Sequence, residues 1–187
     1  MRLLLSTLLA LAPAVAVAVT PATPSTPYAG QQTRAIKALS AQEIADLLAG
    51  RGMGFAKAAE LNGYPGPLHT LEHAETLGLS AEQKRATEAL YAGMQARARE
   101  LGRALVEAEG ALERQFADGT ITPATLSNAL QRIGALQAQL REVHLQTHLQ
   151  QKALLSAQQV RRYAELRGYT DGGTHEHGRH SGEHRGH

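Results

Sequence analysis

Apolar residues along this chain recur at helical spacing, and strict alternation of the strand type is absent. From Leu90 the sequence runs Leu90, Met94, Leu101, Leu105, Leu112 and Phe116, in steps of four and seven, with Ala108 filling one gap. That is a heptad seam on a helix of about 35 residues. A second stripe, Leu126, Leu130, Ile133, Leu136, Leu140 and Val143, follows a short break around Asp118–Gly119. Two long helices joined by so short a connection are expected to lie antiparallel as a hairpin. The apolar residues Ile44, Leu47 and Leu48 predict a shorter helix earlier, followed by a kink or restart at Gly50, Gly52 and Gly54. A further turn or two is expected over 55–61, and a short helix from Pro67 to about Leu77 that contains His69 and His73.

Helix starts are marked by residue type. Ser40–Glu43, Ser80–Gln83 and Ser156–Gln159 are each Ser-x-x-Glu/Gln. In such a capping box the hydroxyl and the acid or amide each satisfy a backbone N–H that a helix start leaves unpaired. Thr122 followed by Pro123 caps the second long helix, and the last helix is expected to end at Gly168. The predicted fold class is all-α: an elongated bundle built on a long antiparallel helical hairpin, with about 130 residues available for one modest core.

The flanks differ in character. Residues 1–19 combine Arg2, an apolar run and small residues around Ala14–Ala18. This is the pattern of a secretory signal peptide. An uncleaved anchor is the alternative, since roughly 17 apolar residues lie at the short limit for a membrane span. Residues 20–39 begin with a Pro/Thr/Ser-rich stretch and are read as a linker. Residues 169–187 are a Gly/His/Arg-rich tail, predicted to be disordered. The expected compartment is the periplasm.

Composition narrows the chemistry. The net charge is only +2, with no basic stripe interleaved with aromatics, so nucleic acid is not an expected partner. There is no Cys, which excludes disulfides, thiolate ligands and Cys nucleophiles and leaves imidazole and carboxylate as the strong metal ligands. With 2 Phe, 5 Tyr and no Trp, the core must be aliphatic. No nucleophile constellation, phosphate loop or carboxylate pair stands out, and the chain is not read as an enzyme.

The nine histidines are unevenly placed: His69 and His73, His144 and His148, and five from His175 to His187. Four residues apart on a helix, two imidazoles share a face and can bind one ion. At about 100° per residue, His144 and His148 fall at the angles of Leu126 and Leu130, on the apolar stripe that faces the partner helix. The plainer alternative is half-buried histidines, each hydrogen-bonded to a backbone carbonyl or a Glu, or used as pH sensors. If the short helix folds back, the two pairs form a shared site for Zn, Ni, Co or Cu. Glu72 and Glu75 lie near the first pair; Glu88 is a weak candidate for a completing carboxylate, because it lies off the seam. In the tail, His175, His177, His180, His184 and His187 suit loose capture of divalent metal rather than a defined geometry.

Leu-Ser-Ala-x-Gln occurs twice, at 79–83 and 155–159, each time at a helix start, with the long hairpin between the two copies. This resembles the LTxxQ motif of the Spy/CpxP/ZraP family of periplasmic proteins, with Ser where Thr is usual. The resemblance spans roughly Ser40 to Gly168. It implies a hooked, four-helix, antiparallel homodimer, and either ATP-independent chaperone action on unfolded clients or metal sensing. The placement of His69/His73 and His144/His148 is similar to that of the CnrX-like heavy-metal sensors, although the second pair there is His and Met. That branch's carboxylate ligand would fall near Tyr91, with Glu88 the closest acid. The expected function is therefore a periplasmic sensor or buffer of Zn, Ni, Co or Cu. The alternatives are a chaperone for unfolded proteins, and an adaptor for an envelope-stress sensor kinase or anti-sigma factor. The membrane is a partner only if the leader is uncleaved.

Overall fold

A computed structural model describes residues 26–170, and every regular element among them is a helix. The expected leader and residues 171–187 of the expected tail lie outside the described residues, whereas Tyr169 and Thr170 lie within them, Tyr169 N–H bonding the Ala164 carbonyl at 2.8 Å. Residues 26–32 belong to a first compact unit and form turns, closed by Ala29 N–H to the Thr26 carbonyl and Gln31 N–H to the Tyr28 carbonyl. The second unit, from Thr33, holds six described helices: α1 (Ala41–Ala49), α2 (Lys57–Glu60), α3 (Pro67–Glu72), α4 (Ala81–Ala117), α5 (Pro123–Leu154) and α6 (Ala157–Leu166). No described helix is long and apolar enough to cross a membrane.

Local chemistry explains where these helices begin. Ser40, Ser80, Thr122 and Ser156 all have extended backbones, and each accepts a hydrogen bond from the N–H three residues on. Glu43, Gln83, Thr125 and Gln159 return the bond to the cap residue's own N–H, completing four capping boxes. Gly50 ends α1 at φ 68°, where a Cβ would be strained.

The helices α4 and α5 run antiparallel and are joined by residues 118–122. Ala98, Leu101, Leu105 and Ala108 of α4 form the core with Ile133 and Leu140 of α5 and Leu47 of α1. Each fully buried Leu or Ile here contributes about 1.5–3 kcal/mol of burial free energy. The α1 helix packs directly on the α4 backbone at Gly102, where an added Cβ would lie 2.1 Å from the Leu47 carbonyl oxygen. Residues 33–39, assigned to the linker by composition, belong to this unit. Leu39 packs against the core, Ile36 lies beside Gly110, and Lys37 pairs with Glu113.

The structure departs from the pattern in two further places. Phe116 and Leu130, read as seam residues, are 56% and 52% exposed. They lie towards the hairpin tip, beyond the reach of α1, so a stripe with nothing to cover it stays open. The helix expected to run to Leu77 stops at Glu72, with His73 as its C-cap. The chain continues in turns: Ala74 N–H bonds the Leu71 carbonyl, and Leu79 N–H bonds the Ala74 carbonyl around Gly78 at φ 61°. That closure buries Leu77 at 6% exposure.

The two repeats lock the far end of the hairpin. The Gln83 amide donates to the Leu154 carbonyl at 2.8 Å and to Gln159 Oε1 at 2.9 Å. Gln159 reciprocates, donating to Gln83 Oε1 at 3.0 Å and to the Leu77 carbonyl at 3.3 Å. Each glutamine thus caps its own helix and also holds the carbonyl end of the segment that precedes the other repeat. Buried Gln151 strengthens this end by donating to Thr87 Oγ1 at 3.1 Å.

Candidate functional site

On α5, His144 and His148 are 2% and 7% exposed, as the angular count expects. The segment between α1 and α3 closes over them, and Tyr91 and Met94 of the partner helix α4 border the same cavity. The Phe55 ring stacks on His144 with centroids 5.7 Å apart and planes at 21°. His148 Nδ1 lies 2.8 Å from the Tyr64 carbonyl oxygen. A carbonyl only accepts, so Nδ1 carries a proton. Tyr64 is itself held from α5, with Lys152 Nζ 3.7 Å from its ring centroid. Gly66 is required beside His148, because a Cβ there would stand 2.9 Å from Cε1 and 3.1 Å from Nε2.

His144 has a harsher environment. Its Nε2 is buried and has no hydrogen-bond partner among the described residues. Burial, and secondarily the neighbouring His148, lower its pKa to about 4, so the ring is neutral at neutral pH. A neutral imidazole is the form that binds metal.

A polar network ties α2 and α6 to this cover. Tyr163, 2% exposed, donates from its hydroxyl to Glu60 Oε1 at 2.5 Å and accepts from Gly66 N–H at 3.2 Å. Burial, then the Glu60 bond, push the phenol pKa up, which keeps that proton in place. Arg167 Nε lies 3.5 Å from Glu60 Oε1, and Glu60 Oε2 lies 3.5 Å from His148 Nδ1. Thr70 Oγ1 donates to the Gly66 carbonyl at 2.7 Å, so both backbone groups of Gly66 are engaged.

Of these groups, His144, His148, Glu60, Gly66 and Arg167 border one cavity of about 790 Å³. His144, His148 and Glu60 are in its wall, and so is His69 from α3, with Tyr91 and Met94 from α4. His69 Nδ1 lies 2.7 Å from Glu72 Oε2, and this bond holds the Glu72 carboxyl below its usual range. His73, the C-cap of α3, does not border the cavity. Glu88 is exposed and also stands apart from it. The structure therefore brings three of the four helix histidines to one cavity without gathering all four. Among the described residues, no three His, Asp or Glu side chains are grouped closely enough to hold a metal ion. His175, His177, His180, His184 and His187 lie outside the described residues.

The acid at this site is Glu60, which no sequence pattern indicated. It sits in Ala58-Ala59-Glu60-Leu61, beside Asn62-Gly63, and only the fold sets it against Tyr163, 103 residues away. The stretch of Gly50, Gly52 and Gly54, read as a kink or restart, separates α1 from α2 and also forms cavity wall, with Met53 at φ 42°. No family model, curated protein or solved structure matches the chain.

Proposed function

We propose that this protein binds a divalent transition metal, Zn, Ni, Co or Cu, and serves as a periplasmic sensor or buffer of it. The observation that carries this reading is the pairing of His144 and His148 at one cavity wall. His148 has its Nδ1 proton held by a carbonyl, and His144 has a buried Nε2 with no hydrogen-bond partner among the described residues. A backbone carbonyl on the far nitrogen is the usual orienting contact of a metal-ligating histidine. His69, at the same cavity, would complete a three-imidazole set by releasing Glu72. The metal would supply a bond between α3 and α5, and the docking of α3 is what a partner could read. The resemblance to the Spy/CpxP/ZraP family supports the same reading and adds a hooked four-helix homodimer, testable by sedimentation equilibrium.

The test is calorimetric titration of untagged protein whose five tail histidines are replaced by Ser. One site per chain is expected, lost in His144→Ala and His148→Ala and weakened in His69→Ala. Unchanged binding in all three variants overturns the proposal. Exposed Phe116 and Leu130 at the hairpin tip favour a second reading, a chaperone that holds unfolded clients on apolar surface. Metal-free protein would then suppress aggregation of an unrelated unfolding protein at stoichiometric ratio, and Phe116→Ser/Leu130→Ser would not.

A further inference from the structure

The cavity over α5 has a property that two imidazoles do not explain. We infer that it is a binding site for a small organic anion with an apolar body, such as an aryl or alkyl carboxylate. This goes beyond the metal reading and does not depend on it. A volume of about 790 Å³ is far larger than one ion needs and falls in the usual range for small-molecule sites, about 300–1,000 Å³. Met53, Met94, Leu61 and Leu68 supply apolar wall from three separate segments, and methionines adapt readily to a planar or a flexible ligand.

The charged groups at the wall are mostly cationic. Arg51, Lys57, Arg99 and Arg167 border the cavity, and Glu60 is the one acid there. Arg51 is neutralised by Asp46 at 2.7 Å, and Glu60 is occupied by Tyr163 and approached by Arg167. Lys57 and Arg99 have no acid within 4.0 Å among the described residues. Arg99 is anchored by its Nε, which donates to the Ala49 carbonyl at 3.2 Å. Its position is therefore set before any ligand arrives. Arg167 Nε is buried and makes no hydrogen bond among the described residues. A carboxylate on an apolar body matches this arrangement: its head meets Arg99, tied by its Nε to the end of α1, and Lys57, and its body displaces water from the Met and Leu wall.

The experiment uses the full chain in excess chelator, which separates this inference from the metal site. Two probes are titrated calorimetrically, 2-naphthoate and dodecanoate, with 2-naphthamide as the uncharged match of the first. At least one acid should bind one per chain with Kd of about 10 μM, a modest efficiency for ligands of this size. The amide should bind at least about tenfold more weakly. Arg99→Gln should cost about tenfold for the acid and little for the amide, as one charge-assisted contact is lost. Met94→Trp, which fills the cavity, should abolish binding. Should that variant unfold, Arg99→Gln alone decides. The inference is overturned if neither acid binds, if amide and acid bind alike, or if Arg99→Gln binds the acid as the parent does.

Discussion

His144 and His148 are one helical turn apart, yet their surroundings make them chemically different residues. His148 has a carbonyl for its proton, whereas His144 has a stacked ring and an Nε2 with no hydrogen-bond partner among the described residues. The lowered pKa of His144 fixes a direction for stability against pH. The unfolded chain protonates this ring near 6.5 and the folded chain only near about 4, so between those values the unfolded state binds more protons. Its contribution is complete above about pH 6.5 and is lost as pH falls towards 4, a loss of up to about 3 kcal/mol. Urea unfolding in chelator at pH 7 and pH 4.5 measures it. His144→Gln should show a smaller difference between the two pH values than the parent; an equal difference would refute the assignment. Gly66→Ala makes a separate residue-scale prediction. Its Cβ meets the His148 ring at 2.9 Å, so the variant should lose about 1–3 kcal/mol.

At the scale of elements, the repeats have a mechanical meaning that their spelling does not show. Ser and Gln were legible as a capping box, because that chemistry is local. The second use of each glutamine, on the carbonyl end of a segment more than 70 residues away, depends on the hairpin bringing the two repeats together. Gln83→Glu separates the two uses. The carboxylate can still accept from Ser80 N–H, but nothing then donates to the Leu154 carbonyl. A loss of about 1–2 kcal/mol is expected, with α4 helicity retained by circular dichroism. Gln83→Ala and Gln159→Ala together should cost less than the sum of the singles, since each removes the other's partner. Gly102→Ala tests the α1–α4 contact. Its Cβ would lie 2.1 Å from a backbone oxygen, so α1 must move away, and the urea midpoint should fall by the equivalent of about 3 kcal/mol.

At the scale of the whole molecule, stability is divided between the hairpin core and the cover over the cavity. Leu101, Leu105, Ile133 and Leu140 hold the hairpin by apolar burial alone. The cover is held by a few polar contacts that meet at Tyr163, Glu60 and Gly66. Tyr163→Phe removes one hydroxyl and leaves both Glu60 and the Gly66 N–H without it. A loss of about 2–3 kcal/mol is expected. Hydrogen exchange should accelerate in α6 and in residues 55–70, while the centres of α4 and α5 keep their protection. Uniform acceleration across the hairpin would show instead that cover and hairpin unfold as one unit.

The helical class, the two long helices, their caps and the burial of His144 and His148 could be read from the chain itself, because each rests on periodicity or on chemistry within one turn. The limits of that reading were also physical. A stripe states which residues are able to be buried, and Phe116 and Leu130 remain exposed because no third helix among the described residues packs over them. Tertiary structure alone decided what lies over the histidines: Phe55, the Tyr64 carbonyl and Gly66 come from irregular segments that carry no periodic signal. It also decided the acid, since Glu60 and Tyr163 are 103 residues apart and meet only in the folded chain. Finally, it placed His69 at the cavity and left His73 outside it. Spacing tells which residues share a helical face, and only the packing of that helix tells which of them meets the cavity.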